Sequence, residues 1–126
     1  MKIPEGHQGV IPYLAVEDAG AFLEFTEKVF DARMTYPVQR PDKIEGHTEV
    51  SISGSTVMFT QVNEKCKPAS ANLFVYVEDA DAVYRLAIEN GATSLMEPAD
   101  QAYGRSGGVL DAFGNEWWMT TVTEEN

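Results

Sequence analysis

Basic residues are scarce in this chain, and their shortage excludes several classes of partner. Lysine and arginine number 9 against 20 aspartates and glutamates, which gives a formal net charge of −11. Nucleic-acid phosphates are bound by clusters of Lys and Arg, and anionic membrane surfaces by basic amphipathic helices. The sequence contains neither pattern, so we expect no nucleic-acid partner and no membrane partner.

The chain has a single cysteine and no long apolar run. The single cysteine, Cys66, excludes an internal disulfide, which suits a reducing compartment. No apolar run reaches the length of a membrane span, and no signal-peptide pattern opens the chain. We therefore expect a cytoplasmic protein. Cys66 stands between Lys65 and Lys67 in a stretch typical of a linker, and we do not expect it to act as a nucleophile.

An internal repeat is the most informative feature that is present. The hexapeptide VEDAGA at 16–21 returns as VEDADA at 77–82, a shift of 61 positions. A second echo, at 53–56 and 113–116, is shifted by 60 positions. Because two separate features repeat with nearly the same shift, the sequence indicates a tandem duplication of one supersecondary unit.

The repeat predicts one domain over residues 1–126 that contains two copies of the unit. Module one covers about 8–62 and module two about 72–122, with a linker at about 63–71 between them. The length of 126 residues is enough for one domain with a buried core.

Each module is expected to contain a strand, a helix and three further strands. Asp18 and Asp79 are predicted helix N-caps, the first helix ends near Phe30, and Gly91 is a predicted left-handed C-cap of the second. Tight hairpins are expected at Gly54-Ser55 and around Gly114-Asn115. The expected strands are 10–16, 33–39, 46–53 and 56–62 in module one, and 73–77, 93–96, 104–112 and 115–122 in module two.

Alternation along the strands separates two faces. One set is uniformly apolar and is expected under the helices: Val50, Ile52, Val57, Phe59, Leu73, Val75, Val77, Leu110, Trp117 and Met119. The other set mixes aromatic and polar side chains, as small-molecule pockets do: Ile11, Tyr13, Ala15, His47, Glu49, Ser51, Met58, Thr60, Asn72, Phe74, Tyr76, Arg105, Val109, Asp111, Glu116, Trp118 and Thr120. Half-solvated sheet or a dimer contact is the alternative interpretation of this second set.

Four segments resemble one known family. They are Pro12-Tyr13-Leu14 to Phe30, Gly46-His47-Thr48-Glu49, Tyr103-Gly104-Arg105-Ser106-Gly107, and Asp111-Ala112-Phe113-Gly114-Asn115-Glu116-Trp117-Trp118. With these segments the chain resembles the vicinal oxygen chelate superfamily of glyoxalases, bleomycin-resistance proteins and dioxygenases, and most closely its PhnB-like branch. The resemblance covers about residues 10–122.

The resemblance implies an α+β fold in which two tandem βαβββ modules form a curved mixed sheet around a cleft, often in a homodimer. The superfamily's metal enzymes place ligands on the first and last strand of each module. Carried over to this sequence, those positions hold Ile11, Met58, Asn72 and Trp118, none of which is a carboxylate or an imidazole. Since a catalytic metal usually needs three such donors, we expect no metal cofactor there.

A replacement metal site is the alternative. His47 and Glu49 lie two positions apart on one strand face and could hold a divalent metal, with Asp111 or Glu116 as the third donor. A hydrogen-bonded polar pair is the competing interpretation of His47 and Glu49.

Glu49 and Arg105 are expected on the same cleft face, where they pair with each other or meet a ligand group. If the cleft is dry, burial raises the pKa of Glu49, which then acts as a catalytic general base while Arg105 holds an anionic substrate group. A structural salt bridge is the alternative.

The leading hypothesis is a metal-independent protein that binds a small, possibly aromatic molecule. The expected ligand-binding residues are Tyr13, His47, Met58, Asn72, Phe74, Tyr103, Arg105 and Trp118. The alternatives are an isomerase-type or lyase-type enzyme that uses Glu49, with or without a metal, and a non-catalytic structural module.

Overall fold

The chain forms two four-stranded sheets and two α-helices, one sheet and one helix in each module. The structure is a computed structural model that describes residues 1–123, except for the side chain of Pro41. Module one has the strand order β1-β4-β3-β2 and module two the order β5-β8-β7-β6. The elements are β1 (Tyr13–Val16), α1 (Ala19–Phe30), β2 (Arg33–Tyr36), a 3-10 turn (Pro41–Lys43), β3 (Thr48–Ile52), β4 (Ser55–Gln61), β5 (Asn72–Tyr76), α2 (Ala80–Glu89), β6 (Thr93–Gln101), β7 (Gly104–Leu110) and β8 (Glu116–Thr121). The predicted pair of βαβββ modules is confirmed, and the two sheets do not close into a barrel.

Both helices begin as the sequence predicts. The carboxylate of Asp18 accepts a hydrogen bond from the Ala21 amide at 3.0 Å, and Asp79 accepts from Ala82 at 3.1 Å. After α2, Gly91 takes the predicted left-handed conformation at φ 99°.

A side chain of each module's last strand binds the first turn of that module's helix. Gln61 accepts from the Ala19 amide at 2.9 Å, and Thr121 accepts from the Ala80 amide at 2.7 Å. The residues of each pair are separated by almost the same interval, so the duplication extends to this anchoring contact.

Several strand boundaries differ from the prediction: β1 begins at Tyr13 rather than at residue 10, and β2 ends at Tyr36 rather than at residue 39. In the first hairpin Ile52 pairs with Ser55, so the turn residues are Ser53 and Gly54, both with positive φ, rather than Gly54 and Ser55. Strand β6 runs to Gln101 instead of stopping near residue 96. It is an edge strand with two register shifts, a setting in which Pro98 is tolerated.

Helix α1 packs against the inner faces of both sheets. The Phe22 ring lies 5.0 Å from Phe59 of module one and 6.5 Å from Trp117 of module two, and Phe30 lies 4.6 Å from Trp117, between ring centroids. Helices α1 and α2 also contact each other. The helix-free face of each sheet therefore points away from this shared core.

Strand β7 presents the opposite faces from those predicted. Val109 pairs with Trp117 and is fully buried under the helices, whereas Leu110 is 36% exposed. Arg105 lies four residues before Val109 on the same strand. Because every second residue of a strand points to the same face, both side chains lie on the helix side. The assignment of Leu110 to the core and of Arg105 and Val109 to the helix-free face is wrong by one residue of register.

Within residues 1–123, neither helix is long and apolar enough to cross a membrane.

Candidate functional site

The helix-free face of module one, here called the module-one face, is built from strands β1, β3 and β4. Tyr13 and Glu49 both pair with Met58, so their side chains point the same way. This face comprises Tyr13, Ala15, His47, Glu49, Ser51, Thr56, Met58 and Thr60. Tyr13 is 53% exposed and its ring lies 5.3 Å from the His47 ring, at 60°.

Glu49 is held between two imidazoles on this face. Its Oε2 lies 2.7 Å from His47 Nε2, and its Oε1 lies 2.7 Å from His7 Nε2. Glu49 is only 7% exposed, and each of its carboxylate oxygens is bonded to one of the two rings. The interpretation of His47 and Glu49 as a hydrogen-bonded pair is confirmed, and His7 is an additional partner that the sequence did not indicate.

Hydrogen bonds hold Glu49 in its ionised form. The bond from His47 lowers the pKa of Glu49 most strongly, burial acts in the opposite direction, and the bond from His7 lowers it further. The net pKa lies below its ordinary value, so the prediction of a raised pKa is wrong. An ionised carboxylate only accepts hydrogen bonds, and both imidazoles therefore carry a hydrogen on Nε2.

The N-terminal segment brings His7 to this face. The Gln8 side chain donates to the Thr56 carbonyl at 2.8 Å and accepts from the Thr56 amide at 3.2 Å, while the Thr56 hydroxyl donates to the Gly6 carbonyl at 2.6 Å. These bonds occupy the backbone of β4 just ahead of the point where β1 begins to pair with it. A cavity of about 520 Å³ borders the segment, lined by Glu5, Gly6, His7, Thr35, Tyr36, Glu49, Ser51, Gly54 and Thr56.

The corresponding module-two face carries an aromatic cluster. Phe74 pairs with Trp118 as Tyr13 pairs with Met58 in module one. The Phe74 ring lies 5.2 Å from Tyr76 and 6.0 Å from Tyr103, and these three residues are each more than half exposed. This face comprises Asn72, Phe74, Tyr76, Ser106, Gly108, Leu110, Glu116, Trp118 and Thr120.

Trp118 lies flat on the sheet because Gly108 has no side chain. A Cβ on Gly108 would stand 2.3 Å from Cζ3 and 2.5 Å from Cε3 of the indole. The predicted position of Trp118 on the helix-free face, with Trp117 in the core at 1% exposure, is confirmed.

Arg105 and Asp111 do not join this site. Arg105 binds Asp81 of α2 at 3.1 Å and Asp100 at 3.3 Å, and these two bonds, Asp81 first, raise the pKa of its guanidinium. The predicted pairing of Arg105 with Glu49 is therefore wrong. Asp111 is buried and accepts hydrogen bonds from Phe113, Asn115 and Trp117, which fixes the β7–β8 turn and leaves no role as a metal donor.

At the four positions that the resemblance carries over as metal positions, the side chains do not fit a metal ion. Met58, Asn72 and Trp118 offer a thioether, an amide and an indole, and Ile11, which precedes β1, offers no donor. Within residues 1–123, no three His, Cys, Asp or Glu side chains are arranged so that they could share one metal ion.

A larger groove of about 1030 Å³ runs between the end of α1 and the start of α2 and reaches Ser51 and Tyr76 at its edge. Its rim carries exposed charges such as Glu27, Lys28 and Glu78. Of the aromatic cluster only Tyr76 borders this groove, and Glu49, His7 and His47 do not line it. We therefore place the candidate site on the helix-free faces.

Two tandem βαβββ modules, each with a four-stranded mixed sheet, define the fold class of this chain. Residues 8–119 match the profile of the Glyoxalase/Bleomycin resistance protein/Dioxygenase superfamily. The chain belongs to this superfamily.

Relatives and solved structures agree with this assignment. An uncharacterized protein of Mycobacterium bovis is 35% identical over 126 residues, covering 90% of this chain and 83% of that protein. A Mycobacterium tuberculosis protein has the same identity, with 74% of its length covered. TioX from Micromonospora sp. ML1 superimposes with a TM-score of 0.72 at 21% identity, covering 94% of this chain and 99% of TioX. The fosfomycin resistance protein FosX from Mesorhizobium loti gives a TM-score of 0.65 at 20% identity, covering 96% and 95%. At these identities the two structures establish the fold alone.

Proposed function

We propose that this protein binds a small, planar, partly aromatic molecule on its helix-free faces, with no metal at the positions that the superfamily uses for one. The observation that carries the proposal is the aromatic cluster of the module-two face, where Phe74, Tyr76 and Tyr103 are 52%, 59% and 52% exposed. Aromatic rings are normally buried, and an exposed group of them is typical of a surface that binds a ligand or a partner. We also propose that the chain belongs to the PhnB-like branch, because four segments of its sequence resemble that branch.

We further propose that the binding site is completed in a homodimer. Each helix-free face lies on the side of its sheet away from the shared core, so a second copy can bring its module-two face against the module-one face of the first. Such a pairing repeated about a two-fold axis forms two equivalent sites. It covers Tyr13 of one copy and the aromatic cluster of the other, which single chains leave in water.

Tryptophan fluorescence tests the binding proposal. The chain has two tryptophans, of which Trp117 is buried in the core and Trp118 lies partly exposed on the module-two face. A planar aromatic compound from a small-molecule library is expected to quench the parent emission and to leave the Trp118→Phe variant almost unchanged. Tyr84→Phe on α2 serves as the control, because Tyr84 lies on the helix side.

A library in which no compound gives Trp118-dependent quenching would count against the binding function. Elemental analysis of the purified protein distinguishes the metal-free binding protein from the alternative, a metal-dependent enzyme. We expect no stoichiometric divalent metal, whereas a bound ion that is lost on His47→Ala would favour a metal held by His47 and Glu49.

A further inference from the structure

The two imidazoles on either side of Glu49 each leave one ring nitrogen unused. Both Nε2 atoms donate to the carboxylate, so in the neutral rings the lone pair lies on Nδ1. Neither Nδ1 forms a hydrogen bond within residues 1–123, and no buried side-chain nitrogen or oxygen in that range lacks a partner. Both Nδ1 atoms are therefore in contact with solvent, and each is a basic nitrogen of fixed tautomer.

We propose that His47 is a general base that removes a proton from a small conjugated molecule lying against Tyr13, with Glu49 as its positioning residue. This inference rests on the proposed binding of a planar molecule to the helix-free faces. The substrate class it implies is a conjugated compound with an acidic C–H, and the reaction class is proton transfer.

Geometry favours His47 over His7 as the base. The His47 side chain is 34% exposed and its ring lies beside Tyr13, the aromatic side chain of the module-one face. The His7 side chain is 24% exposed and is tied down within the N-terminal segment, in a cavity that Glu5 and Tyr36 also line. The titratable side chains around His7 and His47 are Glu5, Tyr13, Tyr36 and Glu49.

Glu49 acts through the imidazole rather than on the substrate. A carboxylate that binds one ring nitrogen fixes the tautomer and stabilises the imidazolium that forms when the other nitrogen accepts a proton. Glu49 is buried and both of its oxygens are engaged, so it has no free oxygen directed at a ligand. His7 holds the second oxygen and so keeps the carboxylate in one orientation.

The probe for this base is 5-nitro-1,2-benzisoxazole, a planar aromatic carbon acid. His47 Nδ1 accepts the proton from C3, the C–H electron pair becomes the third carbon–nitrogen bond of a nitrile, and the N–O bond breaks with its pair on oxygen. The product, a nitrophenolate, is followed by its visible absorbance. In the proposed homodimer the module-two face of the second copy, with its tryptophan, lies against this face. Tryptophan quenching by the same compound therefore measures binding independently of turnover.

A carboxylate base would place an inflection in kcat/KM below about pH 5. The parent protein is expected to release the phenolate without such an inflection. His47→Ala is expected to lower kcat/KM by about 100-fold or more, and Glu49→Gln by at least about tenfold, while both still bind the probe. Glu24→Gln, an exposed substitution on α1 with the same charge change, is expected to leave kcat/KM unchanged.

Three results would overturn the assignment of His47 as a base: an inflection below pH 5, a His47→Ala variant as fast as the parent, or a bound probe that reacts no faster than with free imidazole. In each of these the binding function survives. If neither the probe nor any library compound is bound, the binding proposal fails and this inference fails with it. The pH profile of the parent decides the question even if a variant does not fold.

Discussion

The indole of Trp118 rests so closely on the Cα of Gly108 that a single added methyl group would come within 2.3 Å of the ring. Position 108 therefore controls how an aromatic side chain of the proposed binding face is presented. The contact joins β7 to β8 on the side away from the helices, where Gly108 and Trp118 are register partners.

Gly108→Ala is expected to lift the indole off the sheet, which weakens Trp118-dependent ligand binding by about tenfold and destabilises the fold by about 1–3 kcal/mol, as overpacking does. Fluorescence titration and chemical denaturation measure the two effects. Gly9→Ala is the matched control, because a Cβ there meets only a side-chain carbon at 3.8 Å. Unchanged Trp118 fluorescence in Gly108→Ala would contradict the expected displacement.

Glu49→Gln is expected to lower the free energy of unfolding at neutral pH by about 1–3 kcal/mol, since it weakens two hydrogen bonds to an ionised group. The effect depends on pH with a definite sign. Because the pKa of Glu49 is lowered below 4.5 in the folded protein, the ionised side chain stabilises the fold fully above that value. This contribution is lost as the pH falls from 4.5 through the lower folded-state pKa.

Urea unfolding of the parent and Glu49→Gln at several pH values measures this difference. It should be largest above pH 4.5 and shrink in more acidic solution. Glu24→Gln supplies the control for removing one negative charge. A difference that grows as the solution becomes more acidic would show that Glu49 is not held ionised by its partners.

Asp111→Asn is expected to destabilise the protein by about 2–4 kcal/mol, because the carboxylate accepts four hydrogen bonds from three neighbours in a buried turn. Asp42→Asn, which alters only an exposed ion pair with Arg40, should cost less than about 1 kcal/mol. Thermal unfolding of the two variants gives the comparison. Equal midpoints would mean that the Asp111 network contributes little to stability.

Phe74→Asp is expected to convert the proposed homodimer into monomers, since it places an unpaired carboxylate in the surface that a second copy would cover. Sedimentation analysis of the parent and variant measures the oligomeric state. Leu86→Asp, on the exposed side of α2, carries the same kind of change outside the proposed interface and should leave the dimer intact. A parent that sediments as a monomer would refute the dimer proposal directly.

Local signals made much of this fold predictable. Asp18 and Asp79 mark the starts of the two helices. The VED repeat by itself indicates two equivalent modules. The strong apolar alternation of β3 and β4 places Val50, Ile52 and Phe59 in the core, where the structure has them. In these segments, local propensity and tertiary packing favour the same arrangement.

The faces of β7 were not predictable in the same way. Its sequence, GRSGGVL, has three glycines and ends in two adjacent apolar residues, so alternation alone does not decide whether Val109 or Leu110 points to the core. Tertiary contacts decide it, because Gly108 must lie under Trp118. The error placed Arg105 beside Glu49 when it actually pairs with Asp81.

His7 was missed for a different reason. It lies 42 positions from Glu49 in a segment without helical or strand periodicity, and no local pattern connects the two. The number of histidines was the one signal in the sequence. The chain has just two, and since His47 lies in a candidate site, His7 was a possible partner for it.

The Gln8 side chain, which bonds to both backbone groups of Thr56, imitates one more residue of β1 and anchors the first residues beside the proposed site. A purification tag or fusion partner joined ahead of Met1 would therefore lie close to His7 and Glu49. Handles carrying several histidines would also bring foreign imidazoles and adventitious nickel to that spot, so recombinant protein for the assays above is best tagged at its other end.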